Sequence, residues 1–388
     1  MSQAGAEAAE ARSKANSTLG YYNLKLGPAA FRFGSSLGVE FNDNVNNSMT
    51  NAEFDVSFRP AVNARLLWPV TDQNSLNLSV GAGYSFYVQH SELDQLFLTP
   101  GSELSFDIYT GDFWINLHDR PSITDNAYQD PTIAGTGDYA QFQNALGLSA
   151  TWDLNKMVVK AGYDHVNYLA LGSNQSRPDG QSEVFSLSAG YAFKPGNLIG
   201  IELGGSVINY SRTDTNWIYS DANQWNAGLM YESQVSEYLK FRGSAGYTVY
   251  SPQASGQTTN LADYSGVYGQ LSLTHKVNKY LGYTLSGGRS ISFGFAGGTV
   301  DLYSARWQAD WKLVRDIAIG TSFVYEHGTQ IYSGSETFDR YGPGLSFSRA
   351  FTTKLTGSLA YQFYSRSSDL ADRSYNINVV TLTLAYQF

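Results

Sequence analysis

The chain has 388 residues, only 15% of them charged but 14% aromatic, with 28 Tyr and 21 Phe; a soluble globular domain carries nearer about 25% charge. It has no cysteine, which excludes a disulfide scaffold and a thiolate metal site, and a net charge of −9, which gives a nucleic-acid partner no support. No apolar run approaches the roughly 20 residues of a transmembrane helix, so this composition points to a membrane β-barrel, where half of each strand faces lipid and half faces water.

The first 18 residues, MSQAGAEAAEARSKANST, stand apart. Ala4, Ala6, Ala8, Ala9 and Ala11 with Glu7, Glu10, Arg12 and Lys14 favour a helix but present no wide apolar face. The stretch also lacks the apolar core of a secretory signal. Residues 1–18 are therefore expected to be a periplasmic tail able to form a short helix. The chain reads as a mature form with its signal removed, and residues 19–388 as the barrel.

From about Ala30 to the end, runs that alternate apolar and polar residues are separated by turns. Leu76, Leu78, Val80, Tyr84 and Phe86 share one parity against Asn77, Ser79, Ser85 and Gln89. Tyr303, Trp307 and Trp311 oppose Arg306, Gln308, Asp310 and Lys312, and Leu355, Leu359, Tyr361 and Phe363 oppose Thr356, Ser358, Gln362 and Tyr364. The last run sets Val380, Leu382, Leu384, Tyr386 and Phe388 against Thr381, Thr383, Ala385 and Gln387. Successive strand residues face opposite sides, so each run has one greasy and one polar face. The runs are about twice the usual five or six residues of a globular strand, the length a tilted strand needs to cross a bilayer. Only a closed wall leaves no unpaired edge in lipid.

The connectors alternate in kind. Short ones are PVTDQN near Val70, YTGD at Tyr109, DLNK at Asp153, KPGN at Lys194 and the stretches near Ser236, Asn278, Arg315 and Thr352. Longer ones, rich in Asp, Asn, Gly and Ser, lie near Asn47, Leu93, Asn126, Asn174, Thr215, Ser255, Gly297, Gly334 and Asp369. Short turns belong to the periplasmic side and longer loops to the outside, which predicts an all-β, transmembrane antiparallel up-and-down β-barrel of about 18 strands.

A charge on the lipid face is costly at mid-bilayer, so charges should fall on the polar parity. Arg32, Glu40, Arg59, Arg65, Glu103, Asp107, Lys160, Glu202, Glu232, Lys240, Arg242, Arg306, Asp310, Glu326, Arg340 and Arg366 do so, and are the predicted pore-lining set. Arg289, in SGGRSISF, does not. Either a bulge at Gly287 and Gly288 turns it inward or it lies in the outer interface. Arg349 also departs, beside a short turn. The outward faces otherwise read as uniformly apolar, without a polar seam for a subunit contact, so a monomer in outer-membrane lipid is expected. Asp125, Asp130 and Asp138 lie in the longest loop, roughly residues 121–139, the candidate for an inward-folding constriction. Two readings of the lumen stand: a mildly basic conduit that favours anionic solutes or polymers, or a set of salt-bridged pairs without preference.

Catalytic signals are missing. His90, His118, His165, His275 and His327 fit no zinc spacing, and there is no GxSxG elbow or P-loop, so no catalytic residue, metal or cofactor is expected and the chain is not read as an enzyme. Tyr87, Tyr109, Trp114, Tyr210, Tyr250, Tyr268 and Tyr364 have inward parity, which suits either a path for sugars or ordinary rim packing.

The ending LTLAYQF, with Tyr386 and Phe388, resembles the C-terminal strand signal that the barrel-assembly machinery recognises. The opening VEFNDNV, Val39 to Val45, and the long series of hairpins to the terminal Phe resemble an outer-membrane β-barrel porin family often encoded beside exopolysaccharide export genes. The resemblance implies a pore in the bacterial outer membrane for small solutes or an extracellular polysaccharide, with periplasmic export proteins or an anionic polysaccharide as partners. The alternative is a plugged surface-structural or adhesive barrel whose loops bind a partner.

Overall fold

The computed structural model describes residues 22–171, 179–211, 221–253, 263–293, 299–314, 316–330 and 336–388. Its strands in chain order are β1 (Leu24–Leu26), β2 (Ala29–Asn42), β3 (Asp55–Pro69), β4 (Asn74–Tyr87), β5 (Gln95–Leu98), β6 (Glu103–Thr110), β7 (Phe113–Thr124), β8 (Gln141–Asp153), β9 (Met157–Ala170) and β10 (Gly180–Lys194). There follow β11 (Asn197–Tyr210), β12 (Ala222–Gln234), β13 (Leu239–Pro252), β14 (Tyr264–Lys276), β15 (Leu281–Phe293), β16 (Thr299–Val314), β17 (Ile317–Gln330), β18 (Thr337–Ala350), β19 (Leu355–Ser368) and β20 (Tyr375–Gln387). Neighbours in sequence pair antiparallel, and β2 closes on β20 from Gly34↔Gln387 to Asn42↔Val379. β1 is a short hairpin extension on β2. β5 and β6 both pair with β4, through Ala82↔Leu98 and Ser79↔Glu103, as two halves of one interrupted strand. The wall is thus a closed antiparallel barrel of 18 strands.

The short turns are specified locally. Thr71 and Thr352 Oγ1, Ser236 Oγ and Asn278 Oδ1 each accept the backbone N–H groups two and three residues on. A side chain that mimics a backbone turn in this way closes a hairpin without further help. Three other turns place Gly111 (φ 56°), Asn155 (φ 66°) or Gly196 (φ 74°) in the left-handed region that these residues tolerate. The predicted tail at residues 1–18, the turn residue Arg315 and the loop positions Asn174, Thr215, Ser255, Gly297 and Gly334 lie outside the described residues.

The outer surface carries the predicted apolar parity: Val62, Leu146, Leu229, Leu271, Leu345, Leu382 and Leu384 are all exposed. Near the short turns it becomes aromatic, with Phe113 stacked on Trp152 at 5.2 Å and Tyr386 edge-on to Phe388 at 5.5 Å. Among the described residues no helix is long and apolar enough to cross a membrane. The crossing is by strands, in the manner of an outer-membrane barrel.

Two features depart from the sequence reading. The register runs unbroken through Gly287 and Gly288 to Arg289, opposite Gly269 and Tyr303, so no bulge turns Arg289 inward. The outward face is also not uniformly apolar. On β9 and β10 Tyr163, His165 and Glu183 form a hydrogen-bonded cluster on the lipid parity, as do Tyr325, His327 and Asp339 on β17 and β18. All lie toward the long-loop ends of their strands, where charge is tolerated in the interface.

Candidate functional site

The connector from β7 to β8 folds into the barrel. Two adjacent strands begin its anchorage: Arg59 on β3 meets Asp125 Oδ2 at 2.6 Å and Asn126 Oδ1 at 3.1 Å, and Ser85 Oγ on β4 donates to the same Asp125 oxygen at 3.2 Å. Gln95 Nε2 then donates to the Asp125 carbonyl at 3.1 Å. Round the wall past β2, β20 and β19, Arg340 on β18 donates to the carbonyls of Tyr128 and Gln129 at 2.6 and 3.1 Å. Arg366 on β19 donates to Pro131 O at 2.9 Å, and Arg373 to Thr132 O at 3.0 Å. Asn47 closes the circuit through Thr136 O at 2.9 Å and through its own carbonyl to Gly135 N. A loop run through a barrel presents bare backbone carbonyls, and buried carbonyls need donors; Arg340, Arg366, Arg373, Gln95 and Asn47 supply them.

The arginines are fixed in turn by acids. Glu326 on β17, fully buried, receives Arg340 Nη2 at 2.5 Å and Nε at 2.8 Å. Glu336, also buried, takes Arg373 Nε at 2.8 Å and Ser368 Oγ at 2.6 Å. Arg366 Nη2 lies 2.6 Å from Glu336 Oε1 without the alignment of a hydrogen bond, so that contact is an ion pair. Burial alone would push Glu336 up. The hydrogen bonds from Arg373 and Ser368, with the Arg366 charge, outweigh it and hold the carboxyl below its ordinary range.

Apolar packing completes the anchorage. Ala127, Ile133 and Tyr139 of the loop form a small core, and Tyr128 and Ala134 pack on Tyr375, Ile377 and Val379 of β20. Those three β20 residues occupy the lumen parity and are nevertheless buried. Burying a Val or Ile side chain stabilises by about 1.5–3 kcal/mol, so the loop covers a face that water would otherwise disfavour.

The other side of the lumen is open. A cavity of about 840 Å3 lies along β9 to β16, lined by Ser186, Ser188, Gln224, Asn226, Gln270 and Ser272 with Lys160, Glu202, Arg242 and Arg289 as charged groups. Charges here are paired, but unequally exposed. Arg306 Nη2 lies 3.0 Å from Glu326 with the guanidinium 64% exposed and the carboxylate at 0%. Arg242 lies 3.3 Å from Glu232, with side chains 64% and 19% exposed. At both pairs the surface turned to water is cationic.

The remaining predicted residues are more scattered. Glu40 is buried beside Arg59, Asp125 and Tyr128. Arg32 bonds Gln387 and sits opposite Arg65. Glu103 takes Arg120 at 3.1 Å. Asp107 gathers Trp114 Nε1, Asn116 and Asn77 at 2.8–3.0 Å. Glu202 takes the Tyr268 hydroxyl at 2.8 Å. Lys240 and Asp310 keep the lumen parity on β13 and β16, away from the loop. Of the loop acids, Asp125 holds Arg59, whereas Asp130 caps its own turn by accepting from Thr132 N and Oγ1 at 2.9 and 2.7 Å. Asp138 donates its backbone N–H to Thr136 Oγ1. Among the described residues no group of His, Cys, Asp and Glu has the arrangement of a metal site. Glu336, Arg373, Asn47, Tyr128 and the β20 trio were not anticipated. The signal for the trio is the inverted alternation in YNINV, where the apolar residues fall on the lumen parity and Asn376 and Asn378 on the lipid parity.

No family model and no curated protein matches the chain. Solved outer-membrane porins do share its architecture. The chain is similar to OccK2 (OpdF) of Pseudomonas aeruginosa, with a TM-score of 0.52 at 10% identity over 92% of this chain and 98% of that one. It is similar to a BenF-like porin of Pseudomonas fluorescens Pf-5, with a TM-score of 0.51 at 9% identity over 92% and 99%. The same OccK2 porin solved in complex with glucuronate gives 0.52 at 10% identity over 94% and 99%. At such identity the likeness is one of fold.

Proposed function

We propose that this barrel is a passive outer-membrane channel for small, polar, anionic solutes. One observation carries the reading: the β7–β8 loop crosses the lumen and leaves an open passage on the other side, lined by Lys160, Glu202, Arg242 and Arg289, where Arg242, and Arg306 further along on β16, turn their guanidinium groups to water while their acid partners are the more buried. A low-dielectric wall focuses such a field on the passage. The hydroxyl and amide lining suits a hydroxylated solute, and a porin of this fold has been solved with glucuronate, a sugar acid. The narrowed passage favours small solutes over polymer export, for which VEFNDNV is the sole support. In the structure that segment has packing work: Asn44 bonds Ser48 O and Asn376 O, and Asp43 bonds Asn378.

Planar-bilayer recording tests the reading. In a potassium chloride gradient the wild-type barrel should conduct steadily with a reversal potential on the chloride side. Arg242→Ala with Arg306→Ala should move that potential toward zero. A silent barrel, or cation preference in the wild type, removes the proposal.

A further inference from the structure

The ladder between β14 and β15 is incomplete. It runs from Lys276↔Gly282 to Gly269↔Arg289 and stops there. β14 nevertheless continues to Tyr264 against β13, and β15 continues to Phe293 against β16. Residues 264–268 and 290–293 thus face one another unpaired, toward the outer end of the wall. The glycines mark the fork, since a Cβ on Gly288 would lie 2.3 Å from the Gly269 carbonyl oxygen. Backbone without a partner is tolerated at membrane depth only where it meets protein or a water-filled space. Here the water-filled space is the open cavity, whose lining reaches Gly288, Arg289, Ser290 and Ile291.

Arg289 closes the fork. It belongs to the lipid parity, opposite Tyr303, with its guanidinium 5.2 Å from that ring. It binds Asp301 through Nε at 2.9 Å and Nη2 at 2.8 Å. The same Nη2 donates at 2.6 Å to the hydroxyl of Tyr264, which is opposite Tyr250 and so on the lumen parity. One guanidinium therefore touches groups from both sides of the wall.

We propose that the split between β14 and β15 is a side window, latched by Arg289, through which a single-tailed anionic amphiphile exchanges between the lumen and the outer leaflet. The polar head stays among the hydroxyls and amides of the cavity and can take Arg289 from Tyr264, while the tail leaves between the unpaired strands into lipid. This adds a lateral route to the axial one and does not depend on the solute preference proposed above.

Two measurements test it. In lipid nanodiscs, seam-facing amides within 264–268 and 290–293 should exchange at least about a hundredfold faster than those within 270–276 and 282–288; equal protection overturns the window. The absence of native cysteine permits a lock, Val267→Cys with Ile291→Cys, the next lipid-side pair beyond the fork; Leu273→Cys with Leu285→Cys, already opposite each other, is the control. The probe is NBD-labelled lysophosphatidate in proteoliposomes, extracted from outside by serum albumin, which is too large for the pore. The wild type should empty the inner pool roughly tenfold faster than protein-free vesicles, tenfold being a barrier change of about 1.4 kcal/mol. The oxidised 267–291 lock should abolish that gain and dithiothreitol restore it, with ion conductance unchanged throughout and the control lock inert. Equal extraction in oxidised and reduced forms, or a wild-type rate no faster than protein-free vesicles, overturns the window even where the barrel conducts. Loss of conductance in the wild type would instead strike the channel reading.

Discussion

Arg340 on β18 and Glu326 on β17 face each other across the ladder with both side chains shut away from water, 2% and 0% exposed, at 2.5 Å. The pair does more than neutralise itself. The Arg340 guanidinium also donates to two carbonyls of the inward loop, so an ion pair in the wall becomes a clamp on the lumen. Breaking a buried pair by removing one partner costs about 3–5 kcal/mol, while replacing both with apolar groups is often nearly neutral. Arg340→Leu should therefore lose about that much stability in denaturant titration, and Arg340→Leu with Glu326→Leu much less. Both variants should show higher and noisier single-channel conductance, since both free the loop.

The second clamp should respond to acid. Glu336 is held below the ordinary carboxylate range by Arg373, Ser368 and Arg366. Its unfolded counterpart titrates near 4.3. A depressed folded value means that its contribution is complete above the unfolded value and is lost as pH falls through the folded one. Wild-type conductance should accordingly rise once pH falls below the ordinary carboxylate range, as Arg366 and Arg373 lose their anchor. Glu336→Gln should show the raised conductance already at neutral pH, without the acid step.

At the outer rim the sign reverses. Glu92, hydrogen-bonded to His90 Nδ1 at 2.8 Å, raises the imidazole above its usual range, with Glu53 Oε2 3.3 Å from Nε2. A raised value stabilises the fold fully below the unfolded pKa of about 6.5, and the contribution is lost as pH rises through the folded value. An NMR titration should find the His90 ring titrating above the ordinary imidazole value. Glu92→Gln should return it toward the ordinary value.

The two faces of β20 should differ in what they accept. Leu382 is exposed on the lipid side, while Thr383 lies on the lumen parity next to it. Leu382→Arg should cost about 2–4 kcal/mol if measured by refolding into bilayers, the scale for a cation near the midplane. Thr383→Arg should be tolerated. Equal costs would mean that the parity of this strand has been misassigned.

How much of this was readable from the chain follows from the range of the interactions. Strand parity and the short turns at Thr71, Ser236, Asn278 and Thr352 are written within a few residues of one another; the closing of β2 on β20 joins the two ends of the chain and was legible only because lipid tolerates no open edge. The inward course of the β7–β8 loop rests on partners more than 200 residues away, Arg340 with Tyr128 and Arg366 with Pro131, which no local pattern encodes. Arg59, Arg340 and Arg366 stand out in the sequence as charges of the right parity and Asp125 as an acid of the longest loop, but parity cannot say which charge meets which. Arg289 was flagged as irregular for the same reason that it proved informative. A residue that breaks the alternation has a partner outside its own strand, and here that partner set spans the wall.

The platform on which the inward loop rests is built by the last strand to be made. Tyr375, Ile377 and Val379 belong to β20, and Asn44 and Asp43 beside β2 reach it only once the ends of the chain have met. A barrel still held open during biogenesis could not bring the anchors on β3 and β4 and those on β18 to β20 to the loop together, and would be a wider cylinder. Sealing the wall and narrowing the channel are thus a single event, so that no complete barrel need ever stand in the membrane as an unguarded hole.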